Sequence, residues 1–180
     1  MNIEIERKYL LRSLPDLKWD EIYIVDQFYR KTKNIWIRYR KLESKINGDI
    51  KYQKTIKKTI SKGISSEDES YVTLLEFNKF ISLCYNTKSD SKKISKIRHI
   101  YKFGELKWEI DIFLNGTSLI IAEIEIPTLD YKVIPPDYIK DNLISDITNI
   151  KEFSNRSMAE FIRHKPIVKR KVSTKTKKVK

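Results

Sequence analysis

Six stretches of this chain carry like-charged residues two positions apart: Glu4 and Glu6, Arg38 and Arg40, Glu67 and Glu69, Lys96 and Arg98, Glu109 and Asp111, and Glu123 and Glu125. Each pair lies in a run that reads as a β-strand, so both of its charges fall on one face of that strand. A solvated face ordinarily mixes both signs with Ser, Thr and Gln, whereas here whole strands are acidic and others wholly basic. A closed barrel with a charged interior accounts for such a series.

The punctuation between the strands is that of hairpins. Thr32-Lys33-Asn34 turns the run from Glu21 to Lys31 into Ile35–Glu43, and Asn47-Gly48-Asp49 turns that run into Ile50–Ile60. Further turns at Lys62-Gly63, Phe103-Gly104-Glu105 and Asn115-Gly116 set off Ile64–Tyr71, Ile94–Phe103, Leu106–Leu114 and Leu119–Ile126. Helical spacing of Leu74, Phe77, Ile81 and Cys84 predicts an amphipathic helix over Val72–Tyr85. Pro135-Pro136-Asp137 opens a second, running through Asn142 or Leu143, and Ser154 caps a third, expected to reach His164.

The charged faces imply chemistry because burying many charges is costly unless they answer one another or a ligand. Clustered arginines and lysines suit a polyanion, and two arginines side by side can grip an oxyanion bidentately. Carboxylates on neighbouring strands supply the hard oxygen ligands that Mg²⁺ or Mn²⁺ prefers. A nucleic-acid groove would be basic without those carboxylates. With only four glycines the chain has no Walker loop, and it has neither a Ser/His nucleophile arrangement nor Cys/His zinc spacing. His99 reads as a packing or surface residue and Cys84 as a small buried apolar one.

The ordered series resembles the CYTH, or triphosphate tunnel metalloenzyme, superfamily, whose signature is Glu4-x-Glu6-x-Lys8 at the N-terminus. Gln27-x-Tyr29, Arg38-x-Arg40, Lys54, Glu67-x-Glu69, Lys96-x-Arg98, Glu109-x-Asp111, Glu123-x-Glu125 and Asn155-x-x-Met158-Ala159 follow in matching order over residues 2 to about 163. The resemblance implies an α+β fold: a closed eight-stranded antiparallel barrel with helices packed outside. It also implies metal-dependent hydrolysis of a triphosphate, above all inorganic triphosphate to phosphate and pyrophosphate. RNA 5′-triphosphatase, class IV adenylyl cyclase and thiamine triphosphatase activity are the alternatives within the family, and a non-catalytic polyphosphate- or nucleic-acid-binding module is the alternative outside enzymes.

Carried over by position, the catalytic residues are Glu4, Glu6, Lys8, Arg40 and Glu69. Lys8, Arg38, Arg40, Lys54, Lys96 and Arg98 bind the substrate, and Glu4, Glu6, Glu109, Asp111, Glu123 and Glu125 hold Mg²⁺ or Mn²⁺. The chain departs from the pattern at Ser65 and Ser66, where the family usually has an arginine before the acidic pair. Lys58 or Lys62 would have to make up that charge.

Length suits one domain, taken as residues 1–164, followed by a basic extension over 165–180. That extension holds eight Lys or Arg and no acid, so a formal charge of +13 falls to +5 for the rest, 29 basic against 24 acidic residues. It reads as a solvated terminus, with a docking arm for RNA as the alternative. A single cysteine, no apolar run of membrane-spanning length and no signal peptide lead to the expectation of a cytoplasmic protein without a membrane partner. Nothing in the sequence speaks to oligomeric state.

Overall fold

In the computed structural model of the chain, the strands predicted from alternation form a sheet that closes on itself. The structure describes residues 2–61, 64–87 and 90–162. The barrel strands are β1 (Asn2–Leu11), β2 (Glu21–Thr32), β3 (Ile35–Ser44), β4 (Ile50–Ser61), β5 (Ile64–Tyr71), β6 (Ser91–Phe103), β7 (Leu106–Phe113) and β8 (Ile120–Glu125). They pair antiparallel in the order β6-β2-β3-β4-β5-β1-β8-β7, and β7 returns to β6 over Lys96–Phe103. This is the expected eight-stranded antiparallel barrel.

The turns do what their residues suggest. Lys33 takes a left-handed φ of 55° between β2 and β3, and Gly48 one of 77° between β3 and β4. That conformation costs a glycine nothing, and here it allows the tight reversal that keeps both arginines of β3 in register with β4.

Helix α1 (Leu74–Asn86) begins at a capping box: the Thr73 hydroxyl accepts from the Glu76 backbone N–H, and the Glu76 carboxylate accepts from the Thr73 backbone N–H. Phe77, Phe80 and Cys84 on its inner face pack against Phe28 of β2, with Ile37 and Tyr39 of β3 and Tyr52 of β4 beside them. Tyr39 stacks on Phe80 with ring centroids 4.0 Å apart. Cys84 is fully buried, and burial pushes its thiol up to about 11, so it behaves as the expected apolar residue. His99 is buried against Trp19, with ring centroids 5.0 Å apart, on the outward face of β6.

A second apolar layer, built from Trp108, Ile110, Ala122 and Ile124, covers the outside of β7 and β8 beneath Ile139 of α2 (Asp137–Lys140). A third lies inside the barrel. Tyr29, Ile94, Phe113 and Ile121 point inward from four strands and join Ile147 and Ala159 to fill one end of the interior.

The last two helices are shorter than the sequence predicts. Helix α2 ends at Lys140, and the chain continues into β9 (Leu143–Asp146), which pairs with the far end of β1. Ser154 caps a helix as expected, but α3 stops after Asn155–Met158. Glu160–Phe161 then forms β10 against Lys92 and Lys93 of β6. The reason is backbone pairing: the start of β6 extends beyond β7, and a strand satisfies its open edge where a helix would not. Ile162 is thereby buried beside Phe28 and Phe77. His164 and the 165–180 extension lie outside the described residues, as does Lys62. No helix among the described residues is long and apolar enough to cross a membrane.

Candidate active site

Beyond the apolar plug the barrel interior holds a cavity of about 560 Å³. Its wall carries eight carboxylates (Glu4, Glu6, Glu21, Glu67, Glu69, Glu109, Glu123, Glu125) and eight cations (Lys8, Arg38, Arg40, Lys51, Lys57, Arg98, Lys107, Arg156). Strand order sorts most of them by sign. Consecutive strands β5-β1-β8-β7 bring seven of the eight acids, and β6-β3-β4, with β2 between the first two, bring five of the eight cations. An acidic half-wall therefore faces a basic one.

The two halves meet in ion pairs. Arg38 contacts Glu67 at 3.2 Å and donates to the Thr55 hydroxyl at 3.1 Å, while Arg40 reaches Glu69 at 3.3 Å. Lys57 joins three carboxylates, Glu67 at 2.9 Å, Glu4 at 3.3 Å and Glu6 at 3.6 Å. Lys8 is paired with Glu123 at 2.7 Å and with Glu6 at 3.4 Å. Two donors have nothing to bond among the described residues: Nε of Arg38 and Nε of Arg40 are buried and unpartnered there, as is the Gln53 Oε1 acceptor opposite Arg40. A buried polar atom without a partner is costly, and two such donors on one strand suit an anion.

The carboxylates divide electrostatically. Burial raises Glu4 to about 7, helped by the charge of Glu67 and only partly offset by Lys57, and burial likewise raises Glu125. Burial also works against the Glu123 carboxylate, but Lys8, Lys96 and Arg98 hold it well below the usual range. Glu109 is lowered against burial by Arg98 and Lys107.

Most of the residues expected from the sequence line the cavity: Glu4, Glu6, Lys8, Arg38, Arg40, Glu69, Arg98, Glu109, Glu123 and Glu125. Lys54 does not. It shares a face of β4 with Tyr52 and Ile56, and Tyr52 packs on Phe77 of α1 with ring centroids 4.8 Å apart. That apolar contact turns the Lys54 face outward, so Gln53, Thr55 and Lys57 point inward and Lys58 points away. Lys57 is missed, as are Lys51, Lys107 and Arg156 of the same wall; the signal for the two on β4 was the parity Lys51-Gln53-Thr55-Lys57, which carries no large apolar residue.

Lys96 and Asp111 are also displaced from their expected roles. Both are fully buried and bonded to each other, and neither lines the cavity. Ser65 and Ser66 are buried on β5, where Lys57 across the ladder at Glu67 supplies the nearby positive charge. Arg156 of α3, which no motif marks, reaches the wall and sits 5.6 Å over the Trp36 ring.

The donor set suits a hard divalent cation. Among the described residues no three His, Cys, Asp or Glu side chains converge into a preformed cage. Yet Glu6 and Glu125 stand directly opposite one another, Glu109 and Glu123 do the same, and Glu125 has no ion-pair partner among the described residues. Like charges so placed are destabilising until a cation answers them. The family that the sequence resembles likewise implies a divalent metal.

The comparisons with known proteins agree with this geometry. No protein-family model matches the chain. The chain is 30% identical over 155 residues to an inorganic triphosphatase of Acetivibrio thermocellus, an alignment covering 81% of this chain and 88% of that one. Among solved structures, that of the inorganic triphosphatase NE1496 superposes with a TM-score of 0.56 at 23% identity, over 91% of this chain and 99% of the other. That superposition establishes the shared barrel.

Proposed function

Because the chain belongs to the CYTH, or triphosphate tunnel metalloenzyme, superfamily, we propose that it hydrolyses inorganic triphosphate to phosphate and pyrophosphate with Mg²⁺ or Mn²⁺. The observation that carries the reading is the facing pair of half-walls, with two unpartnered arginine donors on the basic side.

In this reading Arg38 and Arg40 bind phosphoryl oxygens through the Nε donors that lack partners, with Lys8, Lys57 and Arg98 around them. Glu4, Glu6 and Glu125, with Glu109 and Glu123 beside them, would hold the metal. When bound, it neutralises charge on the transferring phosphoryl group and orients the phosphate oxygens. Glu69 is more open than its neighbours, at 39% side-chain exposure, and is itself held by Arg40 and Thr55. It is our candidate for orienting the attacking water. As water adds to the terminal phosphorus, the P–O bond to the bridging oxygen breaks and pyrophosphate leaves with those electrons. The cations facing it meet the charge that develops.

Residues 165–180 have no part in this chemistry, and a single cysteine fits a cytoplasmic enzyme. Recovery of the protein from the cell envelope rather than the cytosol would contradict that location.

The deciding experiment compares phosphate release from inorganic triphosphate, ATP, thiamine triphosphate and 5′-triphosphorylated RNA under Mg²⁺ and under Mn²⁺. Inorganic triphosphate is expected to be the best substrate, with activity abolished by excess chelator and unchanged in a chain cut after His164. Cyclic AMP and pyrophosphate from ATP would overturn the reading in favour of a cyclase, and turnover in excess chelator would remove the metal from it.

A further inference from the structure

We infer that Lys96 and Asp111 are positioning residues: Asp111, held in place by Lys96, grips Arg98 by one edge of its guanidinium so that the other edge faces the cavity, and neither touches metal or phosphate. The inference rests on the triphosphatase reading for the chemistry it serves, but its geometry stands apart.

Asp111 lies directly opposite Arg98 on the β6–β7 ladder. Its Oδ1 accepts from Arg98 Nε at 2.8 Å, and its Oδ2 accepts from Arg98 Nη2 at 2.7 Å and from Lys96 Nζ. Both oxygens are thus committed to charge-assisted bonds on a side chain with no solvent exposure, which leaves no route for a metal. Lys96 is equally enclosed. Its ammonium also donates at 3.3 Å to the Oδ1 of Asn155, which lines the cavity, and sits 5.6 Å over the Phe113 ring of the apolar plug, without itself reaching the cavity wall.

Arg98 is anchored through Nε and Nη2. Its remaining donors meet the cavity carboxylates: Nη2 reaches Glu123 at 3.0 Å, and Nη1 pairs with Glu109. A planar fork held on one edge can present the other in a fixed direction, which a lysine at this position could not do. The buried pair therefore sets the aim of Arg98. The contrast with β3 supports this division, because no carboxylate among the described residues reaches the Nε donors of Arg38 and Arg40, whose ion pairs run through Nη2 alone.

The test uses the full-length chain and Mn²⁺ alone as the probe. In Asp111→Asn, one acceptor facing Arg98 becomes a donor. Mn²⁺ affinity without substrate, read by electron paramagnetic resonance, is expected to match the parent, while kcat/KM for inorganic triphosphate falls about 10- to 100-fold. Arg98→Lys should lose a similar amount, and the two changes together should be no worse than the worse single one. Should Asp111→Asn fail to fold, Lys96→Met combined with Asp111→Leu removes both buried charges at similar volume. It should again bind Mn²⁺ like the parent and lose the same activity. A tenfold or greater fall in Mn²⁺ affinity in either variant, or losses at Asp111 and Arg98 that multiply, would overturn the inference. A parent that releases no phosphate would refute the triphosphatase reading instead, and the Mn²⁺ measurement would still judge Asp111.

Discussion

Glu4 and Glu123 face the same cavity, yet their surroundings drive them in opposite directions. Glu123 has Lys8 at 2.7 Å and Arg98 at 3.0 Å, and stays ionised far into acid. Glu4 is raised to about 7, chiefly by burial and then by the charge of Glu67. Between its ordinary 4.5 and about 7 the folded protein holds a proton there that the unfolded chain has released. Ionising Glu4 therefore destabilises the metal-free fold, an effect absent below 4.5 and complete above about 7. We expect Glu4→Gln to raise the melting midpoint at pH 8, by about 2–4 °C for each kcal/mol removed, and to leave it unchanged at pH 4. Adding Mn²⁺ at pH 8 should stabilise the parent, because the cation binds only the folded state, and should do far less for the variant. Melting curves at the two pH values, with and without Mn²⁺, check both; a midpoint lowered by Glu4→Gln at pH 8 would contradict the account.

At the scale of the element, strand β4 shows how one packing contact decides which charges can work. Because Tyr52 is drawn outward onto α1, Lys57 faces three carboxylates while Lys54 does not. Lys57→Ala is expected to lower kcat/KM for inorganic triphosphate on the order of 100-fold, with Lys54→Ala indistinguishable from the parent; the opposite ranking would mean that β4 is turned the other way. The eight barrel strands and α1 were readable because alternation, Asn-Gly turns and helical spacing are local properties of the chain. The face of β4 was not, since both of its parities carry lysines and the choice belongs to a helix some twenty residues further on. The same holds for β9 and β10, which are short and exist because β1 and β6 offer them free edges. Spacing likewise gave Lys96 and Asp111 the parity of ligands. Only the three-dimensional register reveals that they close on one another beside the apolar plug.

For the molecule as a whole, the wall of the cavity carries as many carboxylates as cations, eight of each, most of them already paired across the interior. Much of the formal +13 of the chain resides instead in the 165–180 extension. The barrel thus behaves as an ion exchanger loaded with its own internal salt. On the proposed reading an incoming metal-triphosphate would not displace a loose cloud of dissolved counterions, as a polyanion does on an open basic surface; it would take carboxylates for its metal and arginines for its phosphates from pairs that the protein has made with itself. A basic groove with six to ten phosphate contacts loses affinity by about 10³-fold or more between 50 and 200 mM salt. Here the KM for the Mg²⁺ complex of inorganic triphosphate should shift by about tenfold at most over that range, since the enclosed charges are screened far less than exposed ones. A steep power-law dependence in a KCl titration would show that the internal salt is not what the substrate replaces. The eight-to-eight balance would thereby leave the grip on a highly charged substrate largely indifferent to the ionic strength around it.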